Sequence, residues 1–306
     1  MKVLILNEHE VEELLTMEEC IGVMEDALAA LSRGEVHNPL RQAIRAPGAP
    51  GLLGLMPAWR GGETPYYALK EVCVFPENPK RGLDTHLGAV ILHSGETGEP
   101  LAFMNAAAIT AIRTAAVSAV ATKLLARKDA AVLAILGKGV QGESHRRAIP
   151  LVRQIREIRM CGRGDSVEEA VRGADIVVTA TNSREPILKR EWLSPGVHIN
   201  AVGSSIAAAR ELDGETVAAA SLFVDRREST INESGDFFFA VREGLIDQSH
   251  IRAELGELLE GTAKGRKSED EITLFKSLGL AVEDLASAAF LYDKARRDGR
   301  GNWIDF

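Results

Sequence analysis

Six residues, Gly137-Lys138-Gly139-Val140-Gln141-Gly142, stand between an apolar run at 130–136 and a polar helix start at Glu143-Ser144-His145. A G-x-G-x-x-G pattern alone says little; between a strand and a helix it has the setting that phosphate binding needs. Gly137 permits the tight turn, Gly139 lets backbone approach a pyrophosphate, and Gly142 allows the helix to pack close to its strand. The amides that open the helix, at Val140, Gln141 and Gly142, then meet negative charge. A dinucleotide is the expected ligand.

The tip of the following strand should choose between the two nicotinamide dinucleotides. It reads Met160-Cys161-Gly162-Arg163-Gly164, with Arg163 where an acid would mark NAD(H). An arginine there suits a 2′-phosphate, so NADP(H) is favoured, with NAD(H) left open. A solvated loop role is the bland alternative for Arg163, and Asp165 just beyond it is within range of a ribose. Asp165 or Ser166 otherwise caps the next helix, with Glu168 or Glu169 completing the box. Only residues 162–174 separate this strand from the next one, and they already hold a short helix at 166–172. A parallel crossover takes about a dozen residues at minimum. One strand and one helix of a full doubly wound unit are missing; either the unit is shortened near 162–166 or a loop is absent from the sequence.

These groups need a scaffold, and the chain is long enough to provide one. Its 306 residues, 45% hydrophobic and 26% charged, fit two globular domains. A formal charge of -8 without a Lys/Arg stripe sets nucleic acid aside. Cys20, Cys73 and Cys161 are odd in number and far apart, which supports neither a disulfide frame nor a metal site. The N-terminus reads as a short strand rather than a signal peptide, and the longest apolar tract, 106–121, is broken by Arg113 and falls short of a membrane span. A cytoplasmic protein is expected.

Thr16-Met17-Glu18-Glu19 has the form of a capping box, followed by Ile21, Met24, Leu28 and Leu31 at helical spacing. Between 38 and 100, Gly and Pro punctuate short β-like runs, which predicts a largely antiparallel sheet with hairpins and a loop at 75–84. An Ala-rich helix follows at 110–126. Near-continuous apolar strands of the doubly buried, parallel type then appear at 131–136, 155–161, 175–180, 197–202 and 220–224. A last helix is predicted over 274–296, then a polar tail. The fold class is α/β, with a doubly wound parallel sheet beside a smaller α+β domain.

Six stretches carry a resemblance that runs along nearly the whole chain. They are Gly54-Leu55-Met56-Pro57-Ala58, Ile109-Thr110-Ala111-Ile112-Arg113-Thr114-Ala115-Ala116, Gly137-Lys138-Gly139-Val140-Gln141, His198-Ile199-Asn200-Ala201-Val202-Gly203, Arg210-Glu211-Leu212-Asp213 and Phe275-Lys276-Ser277-Leu278-Gly279-Leu280-Ala281-Val282-Glu283-Asp284. In these the chain resembles the ornithine cyclodeaminase/mu-crystallin family. The resemblance implies a Rossmann domain, 115–276, inserted in a substrate and dimerisation domain, 1–114 plus 277–306, usually in a homodimer. It points to Arg41, Lys70 and Arg113 as the cations that bind a substrate carboxylate. Charge-assisted, bidentate donors are what an α-carboxylate in a partly dry cleft requires, and Arg is shaped for it. A desolvated Lys70 can also supply the proton that eases reduction of a C=N bond. Thr114, Thr179, Thr181, Val202 and Leu278 are implied beside the cofactor's ribose and nicotinamide.

The departures from the family pattern bear on the reaction. Cyclodeaminases carry a Glu where Gly54 stands, and an Asp where Ser205 stands, in Gly203-Ser204-Ser205-Ile206. Met104-Asn105-Ala106 also replaces the usual Met-Asp-Gly. Without these carboxylates ornithine loses its amine and water partners, and the pattern looks more like ketimine reductases and mu-crystallins, with alanine dehydrogenase-like members also matching. The reading is therefore an NAD(P)H-dependent oxidoreductase acting on a small imino or amino acid, with Lys70 and Ser205 as catalytic candidates. Ornithine cyclodeaminase and a non-enzymatic NADP-binding ligand store are the alternatives. His86 is open between an acid/base role and loop packing, and Asp225 between a strand-end functional role and a cap.

Overall fold

The computed structural model describes residues 1–306, which form two compact units, 1–113 with 280–306 and 114–279. In chain order the elements are β1 (Lys2–Leu6), α1 (Glu8–Leu14), α2 (Met17–Ser32), β2 (Val36–His37), β3 (Gln42–Ile44), β4 (Leu52–Arg60), β5 (Tyr66–Val74), β6 (His86–Ser94), β7 (Pro100–Asn105) and α3 (Ala106–Leu125). Then come β8 (Val132–Leu136), α4 (Val140–Ala148), β9 (Glu157–Cys161), α5 (Val167–Val171), β10 (Ile176–Thr179), β11 (His198–Ala201), α6 (Gly214–Ala219) and β12 (Ser221–Val224). The chain ends with α7 (Arg227–Glu233), α8 (Gly235–Arg242), β13 (Ile251–Glu254), α9 (Leu255–Leu259), β14 (Thr273–Lys276), α10 (Ala281–Asp298) and β15 (Asn302–Asp305).

The first unit is built on a mixed sheet of order β15-β1-β7-β6-β5-β4-β2, with β3 also on β4. Strands β4 to β7 form the antiparallel meander that the Gly/Pro spacing predicts. Their register sets Met56, Lys70, Val90 and Met104 side by side in one row. All four are buried, because α10 lies against this face of β4, β5 and β6. Thr16 caps α2 as its sequence foretells, accepting the Glu19 N–H while Glu19 reaches back to Thr16. A second such box, Asn7 with Glu10, starts α1. The expected polar tail instead supplies β15, antiparallel to β1.

The second unit holds seven strands in the order β13-β12-β14-β11-β10-β8-β9, every pair parallel. Residues 274–276, where the pattern reads as the start of the last helix, form β14 inside this sheet; α10 begins at Ala281. A four-residue run buried on both faces has no period to separate strand from helix. β13, alternately buried and half-buried, also went unforeseen, because four residues are too few to establish a period. The chain passes from β9 through α5 to β10, on the other side of β8, and no strand lies beyond β9.

Helix α3 extends past the tract that seemed too short for a membrane. Its 20 residues are long and apolar enough to cross a bilayer, but 72% of its most apolar window is buried inside the protein. It is a core helix.

Candidate active site

The glycine turn sits at the carboxyl end of β8, beside the end of β10. In such a sheet the strand order reverses there, and ligands bind there. Gly137 has φ +125°, and a Cβ on it would collide with the Ala180 carbonyl oxygen. A Cβ on Gly142 would collide with the Gly137 carbonyl oxygen. Both positions are closed to any side chain. Gly139 is the opposite case: nothing lies within 4 Å of where its Cβ would be. It is also the N-cap of α4 and brings no capping side chain to the first-turn amides. Val140 beside it is 69% exposed. Backbone donors at a helix start, open space above them and no side chain in the way fit a dinucleotide's pyrophosphate.

The loops around this turn are held by a buried polar cluster. Glu211, fully buried, accepts from Thr179 Oγ1 at 2.7 Å, Thr181 N at 2.6 Å and Thr181 Oγ1 at 2.7 Å. Burial raises its carboxyl above the usual range, and Lys276 opposes that rise. Lys276 Nζ lies 2.8 Å from Asp236 Oδ2 and donates to the Gly203 carbonyl at 2.7 Å. Thr179 is therefore a buried support, with its hydroxyl already engaged, rather than a surface that a ligand reaches. Gly203 must be glycine, since a Cβ there would stand 2.6 Å from the Glu211 carboxyl. Ser204 follows with φ +52°, tied through Oγ to the Ser183 carbonyl at 2.6 Å. Ser205 comes next and is half-buried.

Asp225 takes the structural one of its two readings. Its Oδ2 accepts from Leu278 N at 2.6 Å and Gly279 N at 2.8 Å, fixing the segment after β14. Val202 is half-buried, Leu278 and Thr114 are buried, and Arg163 is exposed. Ser166, not Asp165, caps α5 by accepting the Glu169 N–H.

In the first unit the sequence-predicted cations come together. Lys70, 3% exposed, points from β5 at the start of α10. Its Nζ lies 2.8 Å from Asp284 Oδ2, 3.0 Å from Oδ1 and 3.3 Å from Thr110 Oγ1. Arg113, 4% exposed, holds Glu283 Oε2 at 2.5 Å and Asp284 Oδ1 at 3.3 Å. Both acids occupy the first turn of α10, where the helix dipole favours negative charge. Burial pushes the Lys70 ammonium down to about 8; Asp284 opposes the shift, and the charges of Arg113 and Arg41 add to it. Arg41 stands just before β3, whose Gln42 lies opposite Leu55.

His86 begins β6 opposite Val74, on the same side of the sheet as Lys70. Desolvation by its surroundings and the Lys70 charge hold the imidazole of this exposed residue below the usual range, against Asp84. Gly54, one row from Lys70, has Val72 Cγ1 3.3 Å from where its Cβ would be. Asn105 Oδ1 accepts the Ala108 N–H at the start of α3. Neither position offers a carboxylate.

Sequence reasoning met Glu283, Asp284, Glu211 and Lys276 only as parts of matching stretches. Their signal was charge inside apolar runs: two adjacent acids between Val282 and Leu285, and a lysine at the end of Leu274-Phe275. The family profile described as Ornithine cyclodeaminase/mu-crystallin family matches residues 1–166 and 163–299. The chain is 37% identical to a Delta(1)-pyrroline-2-carboxylate reductase of Bacillus cereus, over 99% of this chain and 100% of that protein. That alignment spans 326 positions against 306 residues here, so at least 20 positions of it have no residue in this chain. The ketimine reductase mu-crystallin of Mus musculus is 42% identical over 89% of this chain and 91% of its own. Among solved structures, Thermococcus litoralis Delta(1)-pyrroline-2-carboxylate reductase in complex with NADH and L-proline superposes with TM-score 0.92, at 40% identity, over 98% of this chain and 99% of that one. With the profile covering nearly all of its length, this chain belongs to the ornithine cyclodeaminase/mu-crystallin family.

Proposed function

We propose that this chain is an NAD(P)H-dependent reductase of small imino acids, cyclic ketimines such as pyrroline- or piperideine-2-carboxylate first among them. One observation carries the substrate class. Lys70 and Arg113, both buried, converge on the same carboxylate, Asp284, and the charge of Arg41 reaches Lys70 as well. Glu283 and Asp284 answer the charges of Arg113 and Lys70, and the gathered guanidinium and ammonium groups give a substrate carboxylate charge-assisted donors.

The reduced dinucleotide, seated by Gly137, Gly139 and the amides of 140–142, supplies a hydride for the imine carbon. Arg113 and Arg41 orient the substrate through its carboxylate. Lys70 Nζ gives its proton to the imine nitrogen, and a buried ammonium near 8 is better matched to that task than one at its ordinary value. Asp284 keeps that ammonium in place, and solvent returns the proton. Ser205 is the remaining catalytic candidate, a hydroxyl where cyclodeaminases carry an acid. Gly54, Asn105 and Ser205 bring no carboxylate to a substrate's distal amine, which favours apolar side chains over ornithine.

Arg163, exposed at the tip of β9, supports NADP(H) as the favoured form. The test is spectrophotometric oxidation of NADPH and NADH with pyrroline-2-carboxylate, piperideine-2-carboxylate, and pyruvate plus ammonia. Turnover of a cyclic ketimine is expected. Proline formed from ornithine without net cofactor change, or no oxidation with any of these, would count against the proposal.

We expect the enzyme to act in the cytoplasm as a homodimer. Ile44, Tyr67 and Leu87, at 56%, 51% and 42% exposure, lie on the face of the first sheet that turns away from Lys70. Sedimentation velocity should give twice the 33.0 kDa chain mass. A monomer at micromolar concentration would contradict this.

A further inference from the structure

The end of β9 carries a device that the phosphate turn alone does not explain. Asp165 Oδ2 accepts the Gly162 N–H at 2.8 Å, while the Asp165 N–H reaches the Gly162 carbonyl at 3.2 Å. Gly164, at φ +93°, allows the chain to reverse between them. Lys138, inside the glycine turn, lays its stem across Gly162: a Cβ there would stand 2.9 Å from Lys138 Cδ. Its Nζ ends 2.7 Å from the same Asp165 Oδ2. Both side chains are about half exposed, at 54% and 48%. One carboxylate oxygen thus joins the tip of β9 to the turn that follows β8.

Two cations, Lys138 and Arg163, and one anion, Asp165, therefore share the place where a doubly wound sheet meets the adenosine ribose. Lys138 is held by a carboxylate that water already weakens, so a stronger anion can take it. The two dinucleotides differ there by a 2′-phosphate.

We propose that the Lys138–Asp165 pair is the cofactor selector of this chain, Asp165 competing with the 2′-phosphate for Lys138. With Asp165 in place, NADPH must displace it from Lys138 while the ribose hydroxyls of NADH find a carboxylate acceptor, so the pair narrows the preference for NADPH that Arg163 gives. Removing its charge leaves Lys138 and Arg163 both turned over to the phosphate. The inference rests on the glycine turn being a dinucleotide cradle. It adds that specificity is set by competition inside the protein, rather than by Arg163 alone.

Dissociation constants for NADPH and NADH, read by nucleotide fluorescence without substrate, test it in wild type, D165N, K138M and the double variant. The amide oxygen that D165N introduces can still accept the Gly162 N–H, so the turn is kept. D165N should tighten NADPH about tenfold, the strength of one charge-assisted hydrogen bond, and leave NADH equal or weaker. K138M should weaken NADPH by a similar factor with little effect on NADH. In the double variant the gain from D165N should vanish. A D165N ratio of NADPH to NADH affinity within about twofold of wild type overturns the selector, as does a gain that survives K138M. If wild type binds neither dinucleotide at millimolar concentration, the cradle itself fails and the selector with it.

Discussion

Replacing Lys70 with arginine will lower turnover about 10²- to 10⁴-fold while the protein stays folded and binds its dinucleotide as before. Arginine keeps a cation against Asp284, so the buried pair survives. It cannot release a proton near neutrality, so the acid is lost. The pH profile separates this from simple misplacement. In wild type, kcat for reduction should hold up to about pH 8 and fall above it as Lys70 loses the proton that the imine needs. In K70R that limb at about 8 should be gone. Pre-steady-state hydride transfer and kcat against pH are the measurements. A K70R enzyme with wild-type turnover would remove Lys70 from the chemistry.

The second large effect is at Arg113, whose two roles pull apart in two variants. R113K keeps the charge against Glu283 but loses the planar fork, so kcat/KM for the imino acid should fall about 100-fold, mostly through KM. R113A leaves Glu283 buried without its 2.5 Å partner. Breaking a buried pair from one side costs about 3–5 kcal/mol, so urea unfolding should shift well before any assay is informative. Substrate titration of R113K with an unchanged KM would show that the carboxylate binds elsewhere.

Periodicity and turn chemistry are local, and what is local was legible. The glycine turn announced itself because Gly137 and Gly142 are positions where any Cβ collides with a neighbouring carbonyl. The meander from β4 to β7 was visible in its Gly/Pro punctuation, and the α2 cap in Thr16 and Glu19. Burial on both faces erased the pattern elsewhere, so Leu274 to Lys276 read as helix although they pair with β11 and β12.

The cations of the site were legible as types, but their partners were not. Lys70 and Asp284 lie 214 positions apart, and Arg113 and Glu283 lie 170 apart. Nothing in a linear pattern says which buried acid meets which buried base. Thr179 shows the converse: a strand-end hydroxyl suggests ligand contact until Glu211, 32 positions on, is seen to hold it. Asp165 likewise looked like a helix cap until its carboxylate was found on Lys138.

Beyond β9 the sheet simply stops, and this marginal strand is paired on one flank only, with β8. Such a margin presents a row of amides and carbonyls that invites foreign strands. Glu157 and Arg159 guard it with alternating charge, and the Arg159 guanidinium also donates to the carbonyls of Ala170 and Arg172. The crossover that follows β9 is thereby stitched to the sheet's border, and that flank is closed by electrostatics instead of by a strand.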